Sequence, residues 1–140
     1  DWLPMDLLAS EGSAGEGDSA KDAERIRYYV ADAELLAAAH AVKDQYKRGK
    51  VVEGTIASGN FWNNELDRIA WLHTKFGTST EEMETASAAQ IAHSYGIPFL
   101  GIRVLSNNLT NSGHYDPSTA TDCQAFVKRV IEQYIKHNKR

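Results

Sequence analysis

The sequence predicts an α/β fold in which helices cross over between strands of a sheet. Two β-branched or apolar runs of strand length, Val51–Ser58 and Ile97–Leu105, are separated by helical patterns. Each run ends in a polar turn and is followed by an amphipathic or small-residue helix. At 140 residues, 42% apolar and 24% charged, the chain suits one domain able to bury its own core.

The elements follow in order. Residues 9–24, ASEGSAGEGDSAKDAE, are small, polar and acidic, and predict a flexible loop. Ile26, Tyr28 and Val30 alternate as in a short strand or extended entry. Asp32 is a helix cap, and Leu35, Leu36, Ala39, Val42 and Tyr46 form one face of a helix from Ala33 to about Lys47, closed by Gly49. Val51–Ser58 reads as a strand closed by Gly59. Asn63 or Asn64 caps a helix with Leu66, Ile69, Ala70 and Phe76 on its apolar face, and Gly77 ends it. Thr78–Thr80 offer caps for the next helix, whose first turn is acidic. Ala86, Ala88, Ala89 and Ala92 would let that helix lie close to a sheet, and Gly96 stops it. The run IPFLGIRVLS is continuously apolar apart from Arg103, the pattern of a strand covered on both faces. From Asp122 a last helix carries Cys123, Phe126, Val127, Val130, Ile131, Tyr134 and Ile135 at helical spacing.

Composition excludes several functions. No window holds the ~18 apolar residues of a membrane-spanning helix. A net charge of −4 disfavours non-specific binding to nucleic acid or an anionic membrane. The basic residues near the end, Lys128 to Arg140, read first as complements to a helix dipole. Cys123 is the only cysteine, which rules out an intrachain disulfide and a cysteine zinc cluster, and its apolar face makes it a packed thiol. The five histidines show no metal-ligand spacing, so neither metal nor cofactor is expected. Asn108-Leu109-Thr110 is a formal glycosylation sequon, of consequence only in a secreted protein. The compartment stays open between cytoplasmic and secreted or vacuolar. Asp1 opens the sequence without a methionine or a secretory pattern, which reads as a fragment or processed product.

Chemistry in α/β folds gathers at the carboxyl ends of strands. Two such ends, Gly59–Asn64 and Ser106–Asn111, are rich in amides and aromatics, and the acidic Glu81–Glu84 segment lies between them in sequence. Singly, each has a plain reading: turn-forming asparagines, a dipole-complementing acid, a core tryptophan. Together they suit a purine on an aromatic face and a carboxylate accepting from paired sugar hydroxyls.

GTIASGNFWNN, TEEMETASAAQIAHSYGIPFLGIRVLSNN and the closing amphipathic helix resemble the C-terminal part of the nucleoside phosphorylase/nucleosidase superfamily. The nearest branch is methylthioadenosine/S-adenosylhomocysteine nucleosidase with its plant relatives, the bark and vegetative storage proteins. The likeness runs from about Tyr28 to the C-terminus. It implies a three-layer phosphorylase/hydrolase-like sheet with flanking helices, of which residues 1–140 form the C-terminal portion only.

Position by position, the resemblance puts Trp62 against the purine and Asn63 where a backbone group reads the base edge. It puts Met83 beneath the ribose, Glu84 on the ribose hydroxyls, and Glu82 beside it. Asn107, after Ser106, falls where the family has an aspartate general acid facing nitrogen 7 of the leaving base. An amide donates a hydrogen bond but delivers no proton, and general acid catalysis is typically worth ~10²- to 10⁴-fold. Asn60 likewise replaces the acid of the family's Ser-Gly-Asp turn. The implied function is hydrolysis or phosphorolysis of a purine nucleoside, with a weak or silent storage or binding paralogue as the alternative. The implied partners are a purine nucleoside, with or without phosphate, a companion chain carrying the N-terminal half, and further copies of this chain.

Overall fold

The architecture comes from a computed structural model describing residues 7–8, 25–60, 62–107 and 114–138. Strands β1 (Leu7–Leu8) and β2 (Arg25–Ile26) pair antiparallel. Helix α1 (Ala33–Val42) follows, then a 3₁₀ turn at Lys43–Gln45. Strand β3 (Thr55–Ser58), helix α2 (Leu66–Phe76) and strand β4 (Thr78–Glu82) make a parallel β-α-β unit. Helices α3 (Thr85–Ser94) and α4 (Ser118–Asn138) complete the order. Mixed helices around a small parallel sheet agree with the predicted α/β class. The predicted loop 9–24 and the sequon at Asn108 lie outside the described residues.

The Asp32 cap forms as expected, its carboxylate accepting from the Glu34 and Leu35 amides at 3.0 and 2.9 Å. Helix α1 stops at Val42, short of the predicted Lys47. The tighter turn leaves Tyr46 extended, with its ring edge-on to Phe126 at 5.8 Å. Ala38, Ala39 and Val42 of α1 pack against Phe126 and Val130 of α4, and this is the main core cluster. Ala38 replaces Leu35 and Leu36 at its centre, since short side chains let the two helices approach closely. Helix α4 begins at Ser118, four residues before the predicted start, because Asp116 caps it. On its predicted face, Ile131 and Ile135 are exposed.

Three expectations are corrected. Thr78–Glu82 is a strand and not a helix start. Its threonines are cap residues but also β-branched, and the ladder to β3 decides between the two. Ser79 is the extra residue of a bulge opposite the Thr55/Ile56 step, and its side chain crowds Gly54. The Val51 strand accordingly pairs only from Thr55. Second, helix α2 buries Leu72, while the predicted Leu66 is exposed. The inward stripe is Ile69, Leu72 and Phe76, one turn apart.

Third, Ile97–Leu105 is not a strand, because it finds no ladder partner among the described residues. Its packing is nevertheless two-sided. Leu100 and Ile102 lie on the α1–α4 core, and a Cβ built on Gly101 would sit 2.8 Å from Thr85 Cγ2 and 3.1 Å from Ile56 Cδ1. The cover expected on both faces is therefore partial: no residue of the run is fully buried, and Ile97 and Leu105 at its ends are exposed. Gly77 and Gly96 end their helices at φ 67° and 63°, as predicted.

Candidate functional site

The parallel register sets Ser58 opposite Glu82, so both strands end at the same edge. The Gly59 amide extends the ladder by donating to the Glu82 carbonyl at 2.9 Å. Into this edge comes the loop carrying Trp62 and Asn63, and from it leaves α3.

Glu82 organises the edge. Its carboxylate accepts from the Ser58 hydroxyl, from Arg103 Nη2 at 2.7 Å and Nε at 3.2 Å, and from the Glu84 and Thr85 amides at about 3 Å. The carboxylate thus serves as the side-chain cap that Glu84, formally the N-cap of α3, does not provide. Burial alone would raise this carboxyl. The hydrogen bonds from Ser58, Arg103, Glu84 and Thr85 outweigh that and hold it at about 2. The Ser58 oxygen also accepts from the Ala86 amide at 2.9 Å. One carboxylate therefore ties β3, the first turn of α3 and, through Arg103, the Ile97–Leu105 run.

Glu81 performs a similar task for the aromatic loop. Both of its oxygens accept from the Asn63 side-chain amide, at 3.1 and 2.9 Å, and Asn63 Oδ1 accepts from the Glu65 amide at 3.3 Å. The Asn63 side chain is thus spent on holding the loop, leaving its backbone for other partners. At the end of the run, the Ser106 hydroxyl donates to Asn107 Oδ1 at 3.0 Å. With its oxygen engaged, Asn107 presents its NH₂ as a donor.

The remaining predicted residues lie next to this edge in sequence and make no side-chain hydrogen bonds among the described residues. Trp62 is 70% exposed, Met83 is 46% exposed, and the Glu84 side chain is exposed. None of the predicted site residues lines an open groove of about 820 Å³ along residues 27–31, 48–56 and 99–105. Cys123 does line that groove, and burial pushes its thiol up, against a nucleophilic role. Among the described residues, no group of three or more His, Cys, Asp and Glu side chains could hold a metal ion. No helix among them is long and apolar enough to cross a membrane.

Sequence reasoning missed Ser58, Glu81 and Arg103 as organisers. The signal for Arg103 was present: a lone cation in an apolar run needs a carboxylate. Which carboxylate answers it depends on the β3–β4 register, which no local pattern discloses.

The pattern that defines the Phosphorylase superfamily matches residues 4–137. The chain belongs to this superfamily. Its similar relatives include three proteins named 5'-methylthioadenosine/S-adenosylhomocysteine nucleosidase. That of Bacillus licheniformis is 38% identical over 111 residues, covering 79% of this chain and 44% of the relative. That of Bacillus cytotoxicus is 38% identical over 80 residues, covering 56% and 35%. That of Shewanella halifaxensis is 34% identical over 95 residues, covering 67% and 41%. The chain spans less than half the length of these curated superfamily members.

Proposed function

We propose that the protein carrying this chain cleaves the N-glycosidic bond of a purine nucleoside. What supports the reading is that Glu84 and Met83 follow a fixed Glu82 at the β3–β4 edge, and that the Ser106 hydroxyl engages the Asn107 side-chain oxygen, leaving its NH₂ as a donor. In this reading Trp62 stacks on the base and the Asn63 backbone reads its edge. Met83 lies under the ribose and Glu84 accepts from its hydroxyls. Asn107 donates to nitrogen 7 as negative charge builds on the leaving base. The relatives' names support a nucleoside substrate. The general base and the site for water or phosphate would come from polypeptide beyond this chain, either a companion chain or a longer precursor, with a homo-oligomer as the working form.

A second reading is a weak or silent storage paralogue, and the amide at Asn107 favours it, since no proton can be delivered from that position. One experiment separates them: release of free purine from adenosine, methylthioadenosine, inosine and guanosine, with and without phosphate, by wild type and Asn107→Asp. Restoring a carboxyl should raise turnover of adenine nucleosides by about tenfold or more, in kcat more than in KM. The gain should fade as rising pH ionises the new carboxyl. Loss of an existing inosine or guanosine activity would instead identify the amide as the functional group of a phosphorylase. No purine release by either protein would overturn the enzyme reading.

A further inference from the structure

Arg48 lies outside the strand-end site, on the segment after α1, yet it reaches residues 68 to 74 positions away. Its Nη1 donates to the Ser118 hydroxyl and to Asp122 Oδ2 at 3.0 Å, and its Nη2 donates to Asp116 Oδ2 at 2.6 Å. Asp116 is in turn the cap of α4. Its Oδ1 accepts from the Ser118 amide at 3.0 Å and the Ser118 hydroxyl at 2.6 Å, and its carbonyl accepts from the Thr119 hydroxyl at 2.6 Å. Hydrogen bonds from the Ser118 hydroxyl and amide, and from Arg48, hold the Asp116 carboxyl below its usual range.

The backbone of this cap leads to the site. The Asp116 amide donates to the Ser106 carbonyl at 3.2 Å, so the peptide joining Ser106 to Asn107 is held by the residue that caps α4. The Ser106 hydroxyl then orients the Asn107 amide. Arg48 fixes Asp116, Asp116 fixes the Ser106 carbonyl, and Ser106 fixes the donor. A planar guanidinium suits this task because its fork engages Asp116 and Asp122 in set directions, which a lysine cannot do.

We infer that Arg48, acting through Asp116, is a positioning residue for the Asn107 donor. The inference rests on the proposed role of Asn107 at the leaving base. Arg48's side-chain partners are Ser118, Asp122 and Asp116 rather than residues of the strand-end site, so its loss lowers turnover and leaves substrate affinity nearly intact. A donor displaced by about 1 Å loses up to ~10²-fold in rate.

The test is steady-state purine release by the full native protein as wild type, Arg48→Gln, Arg48→Lys, Asp122→Asn, Asn107→Ala and the double variant Arg48→Gln/Asn107→Ala. Arg48→Gln should lower kcat about tenfold with KM changed by less than about threefold. Arg48→Lys should recover only part of this. Asp122→Asn takes the charge from an Arg48 contact that does not lead to Ser106, and should leave kcat within about twofold. In the Asn107→Ala background, Arg48→Gln should cost less than about twofold, because the group it positions is already gone. If Arg48→Gln instead lowers kcat by the same factor in both backgrounds, or Asp122→Asn matches it, the inference is overturned while the Asn107 reading stands. If Asn107→Ala leaves kcat unchanged, or wild type releases no purine, the Asn107 reading fails and the inference fails with it. Should Arg48→Gln not fold, Arg48→Lys in both backgrounds gives the same comparison.

Discussion

Replacing Glu82 by glutamine should expose how much of this fold hangs on one carboxylate. The group titrates at about 2 against an ordinary value of 4.5, a difference of roughly 3 kcal/mol at about 1.4 kcal/mol per pH unit. Its side chain is only 11% exposed, so solvent screening removes little of this. The direction of the pH dependence follows from the depressed value. The charged form is favoured in the folded state, so the contribution is complete above 4.5 and is lost as pH falls through 2. Between pH 7 and 5 it should hardly change, and between pH 5 and 3 it should fall by about 2 kcal/mol.

The assay is urea unfolding of wild type and Glu82→Gln across that range, comparing midpoints at equal slopes. The other carboxylates titrate in both proteins and cancel in the difference. Wild type should exceed the variant by about 3 kcal/mol at pH 7 and by about 1 kcal/mol at pH 3. A gap of the same size at every pH would mean that shape, not charge, made the difference. A gap under about 0.5 kcal/mol at pH 7 would mean that the hydrogen bonds from Ser58 and Arg103 are exchanged freely with water, and the reasoning would fall.

Two further outcomes are expected. Glu84→Gln should weaken adenosine binding about tenfold or more, the value of one charged hydrogen bond, and leave adenine binding unchanged; calorimetry with both ligands checks this, and equal losses would remove Glu84 from the ribose. Gly101→Ala should cost about 1–3 kcal/mol of stability, because its new methyl meets Thr85 and Ile56 at sub-contact distances, and thermal unfolding reads the loss directly.

The parts of the fold legible in the sequence are those fixed by neighbours a few residues apart. The Asp32 cap, the left-handed glycines Gly77 and Gly96, and the Phe126–Val130 stripe of α4 all belong to this kind. The misreadings arise where a distant partner decides. Thr78–Glu82 carries cap residues and acids that suit a helix start, and only the β3 ladder makes it a strand. Ile97–Leu105 has the composition of a buried strand, but only its middle, Leu100 to Ile102, meets the core, β3 and α3, while Ile97 and Leu105 are exposed and no pairing forms among the described residues. The candidate site divides the same way. Its positions follow the motif, whereas the contacts that hold them, Glu82 to Arg103 and Glu81 to Asn63, span 21 and 18 residues and depend on the folded register.

Glu82 and Glu84 show why adjacent carboxylates need not compete. Uncompensated anions held close together repel. Here the first is answered within the protein by Arg103, Ser58 and two amides of the α3 start. One of those amides belongs to Glu84, so Glu82 anchors the backbone from which the Glu84 side chain extends. The Glu84 side chain stays exposed and enters none of the side-chain hydrogen bonds that hold this edge together. A ligand offering paired hydroxyls to Glu84 therefore meets an acceptor whose mount is already rigid and whose neighbour is already neutralised. That arrangement lowers the ordering cost of binding. On the proposed reading of Glu84, loss of Glu82 should weaken ribose binding indirectly, through the backbone that carries Glu84.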